Sequence, residues 1–245
     1  MQKYTVIAAK SDKDFGEKAR DVFLATLDRH DNPAVILPTG RTPLPLYDAL
    51  RENPDRLKPF SYRQLDEYLR LPPDHPRLFL GEMRRNVLRP LGIRASMHFN
   101  SASYDLTAEV RRVQSYLQEN APAAIAVLGI GPNGHVGFNE PNNTKFDQGV
   151  HVVDLAPETI AANSADWKKE YGSFPKRAIT LGIADLKKST ETILLVRGES
   201  KAEILARALT GPVTEKLPAS YLQTQPNVTV IGDEAALSIL MPAMN

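Results

Sequence analysis

The chain has 245 residues, 42% of them hydrophobic and 24% charged, with a net charge of +1 and no cysteine. That supplies apolar material for one substantial core, while the scattered charges leave no field of one sign for nucleic acid or an anionic membrane surface. Disulfides, thiolate nucleophiles and cysteine-ligated metals are excluded, and with no run of about 20 apolar residues and no leader-like h-region in MQKYTVIAAKSDKDF a cytoplasmic protein acting on a small charged ligand is expected.

Short β-rich apolar runs alternate with longer segments of helical spacing. In chain order the strand candidates are YTVIAA, AVIL, YRQL, MHFN, IAVLGI, VHVVDL, AITLGI, TILLV and VTVIG. Between them lie helix candidates such as PLPLYDALRE, PRLFLGEMRRNVL, DLTAEVRRVQSYLQEN and SKAEILARAL. This alternation predicts α/β architecture: an open, mostly parallel sheet with helices on both faces, as one domain over residues 1–245. In such sheets ligands gather beyond the carboxyl ends of the strands, so the residues just after each strand carry the functional expectations. The polar, aromatic-dotted stretch 162–177 reads either as a mobile lid or as a surface helix.

After AVIL come Thr39, Gly40, Arg41 and Thr42 in a tight turn, with Thr42 expected to N-cap a helix whose first position is Pro43. A guanidinium beside a helix N-terminus opposes the helix dipole unless an anion sits between them, so the turn reads as a phosphate site. After YRQL, Asp66 and Glu67 precede a Pro-rich loop. Asp66 at the strand end has the position of a proton shuttle if burial raises its pKa, although an adjacent acidic pair is equally ordinary surface. His75, in the same loop, reads as a loop histidine. Lys201, after TILLV, falls in the first turn of a helix, where a cation either points outward or meets an anion.

The stretch LGIGPNGHVGFNEP, residues 128–141, contains three glycines in the spacing of a dinucleotide loop. That motif needs a helix to begin inside the loop, yet Pro141 and a polar run follow, so no helix is expected. Asn133, His135 and Glu140 would instead converge, the carboxylate fixing one imidazole tautomer and the other nitrogen moving protons. Zinc is disfavoured, because there is no H-x-x-x-H and no second nearby histidine.

With these pieces together, the chain resembles the glucosamine-6-phosphate deaminase family. LPTGRTPL resembles the family's L-P-T-G-S-T-P-L, LDEYLRLPPDHP its D-E-Y-x-x-L-x-x-x-H-P, GIGPNGHVGFNEP its G-I-G-x-[DN]-G-H-I-x-F-N-E-P, ETIAANS its T-x-x-A-N-S, and AITLGIADL its A-L-T-V-G-x-x-x-L. The sister 6-phosphogluconolactonases lack F-N-E-P, so Glu140 separates the two. The resemblance implies a Rossmann-like fold and an isomerising deamination. In it His135, oriented by Glu140 and Asn133, opens the sugar ring; Asp66 moves a proton from C2 to C1; and the phosphate lies on the turn from Thr39 to Thr42, with Lys201 as cation. No metal or organic cofactor is implied, since an open-chain aldose already has an acidic C2–H. Where the family has serine and arginine, this chain has Arg41 and Ala165, and Arg41 is expected to supply the missing guanidinium. LPASYLQ resembles the galactosamine-6-phosphate deaminases, so the C4 epimer stays open. Residues VHVVD, with His151, lack the basic pattern of allosteric members, and no such activation is expected; both monomers and homo-oligomers occur in the family.

Overall fold

The computed structural model describes residues 4–141, 143–165 and 167–242. Seven apolar runs lie side by side in a parallel sheet: β1 (Tyr4–Ala9), β2 (Ala34–Leu37), β3 (Ser61–Gln64), β5 (Arg94–Met97), β6 (Ile125–Leu128), β9 (Glu191–Val196) and β10 (Val228–Asp233). Their order is β1-β10-β9-β6-β2-β3-β5. Alternate side chains of each strand feed opposite layers. Val35, Leu37, Ile125, Val127, Ile193 and Leu195 face one core with α1 (Asp12–Leu27) and α2 (Leu44–Glu52). Ile36, Ala126, Leu128, Leu194, Val196 and Val230 face the other, with α4 (Leu106–Glu119) and α7 (Ala202–Thr210). This is the open, helix-covered Rossmann-like sheet that the alternation predicts. Among the described residues no helix is long and apolar enough to cross a membrane.

From β2 the chain winds outward through β3 to β5, then returns to β6 on β2's other side and continues through β9 to β10. The loops leaving the adjacent strands β2 and β6 therefore diverge, which opens a crevice at their carboxyl ends.

Three short strands depart from the expected single sheet. β4 (Asp66–Tyr68), β8 (Arg177–Thr180) and β7 (His151–Asp154) form a separate antiparallel sheet in the order β4-β8-β7. VHVVDL and AITLGI are thus strands, but not of the parallel sheet. Leu181 N–H donates to Leu65 O at 2.9 Å, tying the small sheet to the end of β3. MHFN is likewise displaced: β5 ends at Met97, and the Phe99 amide donates to the Gln64 side chain at 3.0 Å rather than to a strand.

Among the helices, α1 was not singled out from the sequence. Ser11 caps it by accepting from the Asp14 amide at 3.2 Å, and Phe15, Ala19, Phe23 and Leu27 recur on its buried face. The run PRLFLGEMRRNVL enters its helix later than the spacing suggests, as α3 (Phe79–Met83) followed by a wider π turn over Arg84–Leu88. Among the described residues the remaining α-helices are α5 (Pro157–Ser164), α6 (Ile183–Leu186) and α8 (Glu234–Leu237).

Candidate active site

The loop after β6 turns without forming a helix, as its proline predicts. Gly131 N–H donates to His135 O at 2.9 Å, and Gly134 N–H to Gly131 O at 3.0 Å, which folds the loop back on itself. Gly134 and Gly137 hold positive φ of 85° and 58°, conformations that favour glycine. At Gly131 the reason is spatial, since a Cβ there would collide with the imidazole of His135. These glycines make room for a side chain and a tight bend; they do not cradle a pyrophosphate.

His135 is held from one side of its ring. Its Nδ1 lies 2.8 Å from Asn133 Oδ1, 3.2 Å from Thr159 Oγ1 and 3.5 Å from Glu140 Oε2. Asn133 bridges the pair, because its Nδ2 donates to Glu140 Oε2 at 2.9 Å. An amide and a carboxylate oxygen at Nδ1 favour the proton there and leave Nε2 for transfer. Glu140 is wholly buried. Burial pushes its carboxyl up, but the bonds to His135 and Asn133 outweigh it, and the group is held below the usual glutamate range. A fixed negative charge behind the ring stabilises the imidazolium formed whenever Nε2 takes a proton.

Asp66 is the first residue of β4 and is only 8% exposed. Burial, reinforced by the adjacent Glu67 charge, raises its pKa to about 8. The acidic pair is therefore not a surface feature. Its two members do different work, since consecutive strand residues point to opposite faces. Glu67 turns inward and accepts from Gln64 Nε2 at 2.9 Å and from the amides of Tyr68, Phe79 and Leu80, each at 3.0 Å. Asp66 and Tyr68 both face the cavity.

The turn after β2 also lines the cavity. Gly40 has a φ of 95°, and the buried Tyr47 hydroxyl of α2 fixes the turn's start by donating to Pro38 O at 2.6 Å. One expectation needs correcting: Thr42 is not the N-cap. Pro43 holds that position without a side-chain cap bond, and the helix starts at Leu44, whose amide donates to Arg41 O at 3.3 Å. Lys201 also sits one step earlier than expected, ending a 3-10 turn and serving as the N-cap residue of α7. Burial lowers its pKa.

One cavity of about 460 Å³ is lined by Asp66, His135, Thr39, Gly40, Arg41, Thr42 and Lys201 together. Asn133 and Glu140 stand behind the imidazole. Sequence reasoning missed four residues of the site. Thr159 holds His135 Nδ1, Tyr68 follows Asp66 on the same strand face, and Asn163 and Arg77, which both act on the Tyr68 hydroxyl, line the cavity. A period of two from Asp66 identifies Tyr68, and T-x-x-A-N-S contains Thr159 and Asn163. Arg77, one basic residue in a Pro-rich loop, carries no comparable signal.

In stretch 162–177, residues 162–164 complete α5, Lys169–Tyr171 form a 3-10 turn, and the other described residues up to β8 are irregular; Asp166 lies outside the described residues. Trp167 and Phe174 pack their rings on Tyr68, at centroid distances of 6.2 and 5.4 Å, and Trp167 stacks on the loop histidine His75 at 5.3 Å. His75 Nδ1 accepts from the Arg77 amide at 3.2 Å. Ala165 lines the cavity next to this cluster.

Comparison with known proteins agrees with this geometry. Residues 8–231 match the family described as glucosamine-6-phosphate isomerases/6-phosphogluconolactonase. A glucosamine-6-phosphate deaminase of Geobacillus sp. (strain WCH70) is 39% identical over 242 residues, covering 96% of this chain and 95% of that protein. One from Streptococcus uberis (strain ATCC BAA-854 / 0140J) is 37% identical over 235 residues, covering 96% and 99%. A solved monomeric glucosamine-6-phosphate deaminase superposes with a TM-score of 0.89 at 32% identity, covering 96% of this chain and 99% of that one. The 6-phosphogluconolactonase of Trypanosoma brucei shares the fold, with a TM-score of 0.78 at 16% identity over 98% of this chain and all of that one.

Proposed function

The chain belongs to the family of glucosamine-6-phosphate isomerases and 6-phosphogluconolactonases, and from that premise we propose that it deaminates glucosamine 6-phosphate to fructose 6-phosphate and ammonia. The observation that carries this reading is that Asp66 and His135 line one cavity while Glu140 and Asn133 hold the imidazole from behind. Lactone hydrolysis would use His135 to activate water but has no role for a buried aspartic acid with a raised pKa. The relatives named as deaminases are also much nearer in sequence than the lactonases that share the fold.

In the proposed reaction His135 takes the proton from O1 and delivers it to O5, which breaks the C1–O5 bond and opens the ring. Asp66, ionised, removes the proton from C2 and returns it at C1, converting the aminoaldose through an enolamine to the ketose imine. Water adds at C2, and ammonia leaves with its bonding electron pair. The phosphate rests on the turn from Thr39 to Thr42, with Lys201 as its cation and Arg41 supplying the guanidinium lost at Ala165. Such binding would reverse the burial penalty on Lys201. A charged sugar phosphate does not cross membranes unaided, which supports a cytoplasmic setting.

The test is ammonia release by the purified protein from glucosamine 6-phosphate and galactosamine 6-phosphate, side by side with phosphogluconolactone hydrolysis. Turnover of the gluco epimer, abolished by Asp66→Asn and by His135→Gln, is expected. Lactone hydrolysis without ammonia release would overturn the reading, and preference for the galacto epimer would reassign the substrate.

A further inference from the structure

Arg77 has no part in the chemistry above, yet its side chain lines the cavity. It lies two residues before α3, whose first two amides, Phe79 and Leu80, are held by the Glu67 carboxylate at 3.0 Å each. Its own amide is tied to His75 Nδ1, and His75 is stacked against Trp167. The backbone that carries Arg77 is thus fixed from both sides, which fixes the direction in which its side chain leaves the wall. Among the described residues its guanidinium makes no hydrogen bond and no ion pair. Its charge acts on the Tyr68 hydroxyl, which it pulls down against the larger effect of burial. Asn163, which also acts on the Tyr68 hydroxyl, and Ala165 line the same cavity.

Charged residues of both signs line the cavity. Arg41, Arg77 and Lys201 are its cations, against Asp66 and Glu82 as its acids. A phosphate monoester carries −1.5 to −2 charges near neutral pH, and a planar guanidinium satisfies two of its oxygens at once. Arg77 is a cation lining the same cavity as the small Ala165.

We propose that Arg77 is a substrate-binding residue that grips the phosphate of the sugar phosphate within the cavity it lines together with Tyr68, Asn163, Ala165 and the turn from Thr39 to Thr42. This rests on the sugar-phosphate reading of the cavity. Arg77 is a binding residue only, and the proton transfers do not pass through it.

The experiment compares wild type, Arg77→Ala and Arg77→Lys in two measurements. The first is steady-state ammonia release from glucosamine 6-phosphate; the second is calorimetric titration of the free enzyme with inorganic phosphate, which needs no turnover. The expected result for Arg77→Ala is a KM raised about 10- to 100-fold with kcat within about threefold, together with phosphate binding weakened by a similar factor. Arg77→Lys should recover part of both, because it keeps the charge and loses the fork. An unchanged KM and phosphate affinity in Arg77→Ala would overturn the proposal, as would a fall in kcat alone. Absence of ammonia release from the wild type would sink the deaminase reading but leave the phosphate titration to decide on Arg77. Circular dichroism and urea unfolding of each variant separate lost binding from lost fold.

Discussion

At the residue scale the decisive quantity is the proton on Asp66. The carboxyl titrates near 3.8 in an unfolded chain and near 8 in the folded one. As the base of the proposed reaction it must be ionised, so kcat/KM should rise with pH to a plateau, with its midpoint near pH 8. Asp66→Asn should lower kcat by about 10³-fold across that range. Stability has the opposite sign. Between the two pKa values the native state holds a proton that the unfolded state has released, so stability falls as pH rises from about 4 to about 8 and stays low above that. Asp66→Asn should therefore be more stable than wild type at pH 8 by a few kcal/mol, with the difference vanishing near pH 4; urea unfolding at the two pH values measures it. A second residue-scale prediction concerns Gly131, where an added Cβ would meet the imidazole. Gly131→Ala should displace His135 and cut kcat at least about 100-fold while costing the fold little, since the strain is relieved by a side chain facing a cavity.

At the scale of elements, the small antiparallel sheet brings the two reactive groups together. Thr180 pairs with Asp66 across the β4–β8 ladder, and its hydroxyl accepts from the Phe138 amide of the histidine loop at 3.2 Å. The strand of the acid and the loop of the imidazole thus share one anchoring residue. Glu67 plays the same part for α3, satisfying three amides and one side-chain amide at once. Glu67→Gln would set a donor against those donors, and should cost about 2–4 kcal/mol in urea unfolding. It also removes a charge that raises Asp66, so the midpoint of the kcat/KM profile should move below that of wild type.

At the scale of the whole molecule, the parallel sheet and its two covering layers were legible in the sequence because apolar strands buried on both faces are unbroken runs. IAVL and TILLV are examples. The small sheet was not, since its strand β4 reads DEY, two acids and a tyrosine, and nothing local says that these are buried. Pairing partners are tertiary facts, so VHVVDL and AITLGI gave strands without their sheet. At the site, His135 with Glu140 and Asn133 was readable because one loop contains all three. Asp66 was readable as a position, but its burial was not. Thr159, Tyr68, Asn163 and Arg77 come from three separate segments, and only folding brings Thr159 to the imidazole and the other three to the cavity. The longest helix, α1, had both its serine cap and its periodic face in the sequence, and went unremarked beside the motif-bearing segments.

The sheet order has a bearing on how the molecule is made. β1 lies at an edge, and among the described residues its one neighbour there is β10, with Tyr4 opposite Val228 and Ala9 opposite Asp233. During synthesis β1 thus waits until residues 228–233 emerge before its backbone amides find carbonyls. Until then β9 is itself a bare border, open to any passing extended peptide. Nascent chains stalled before residue 228 would accordingly be the ones that chaperones hold.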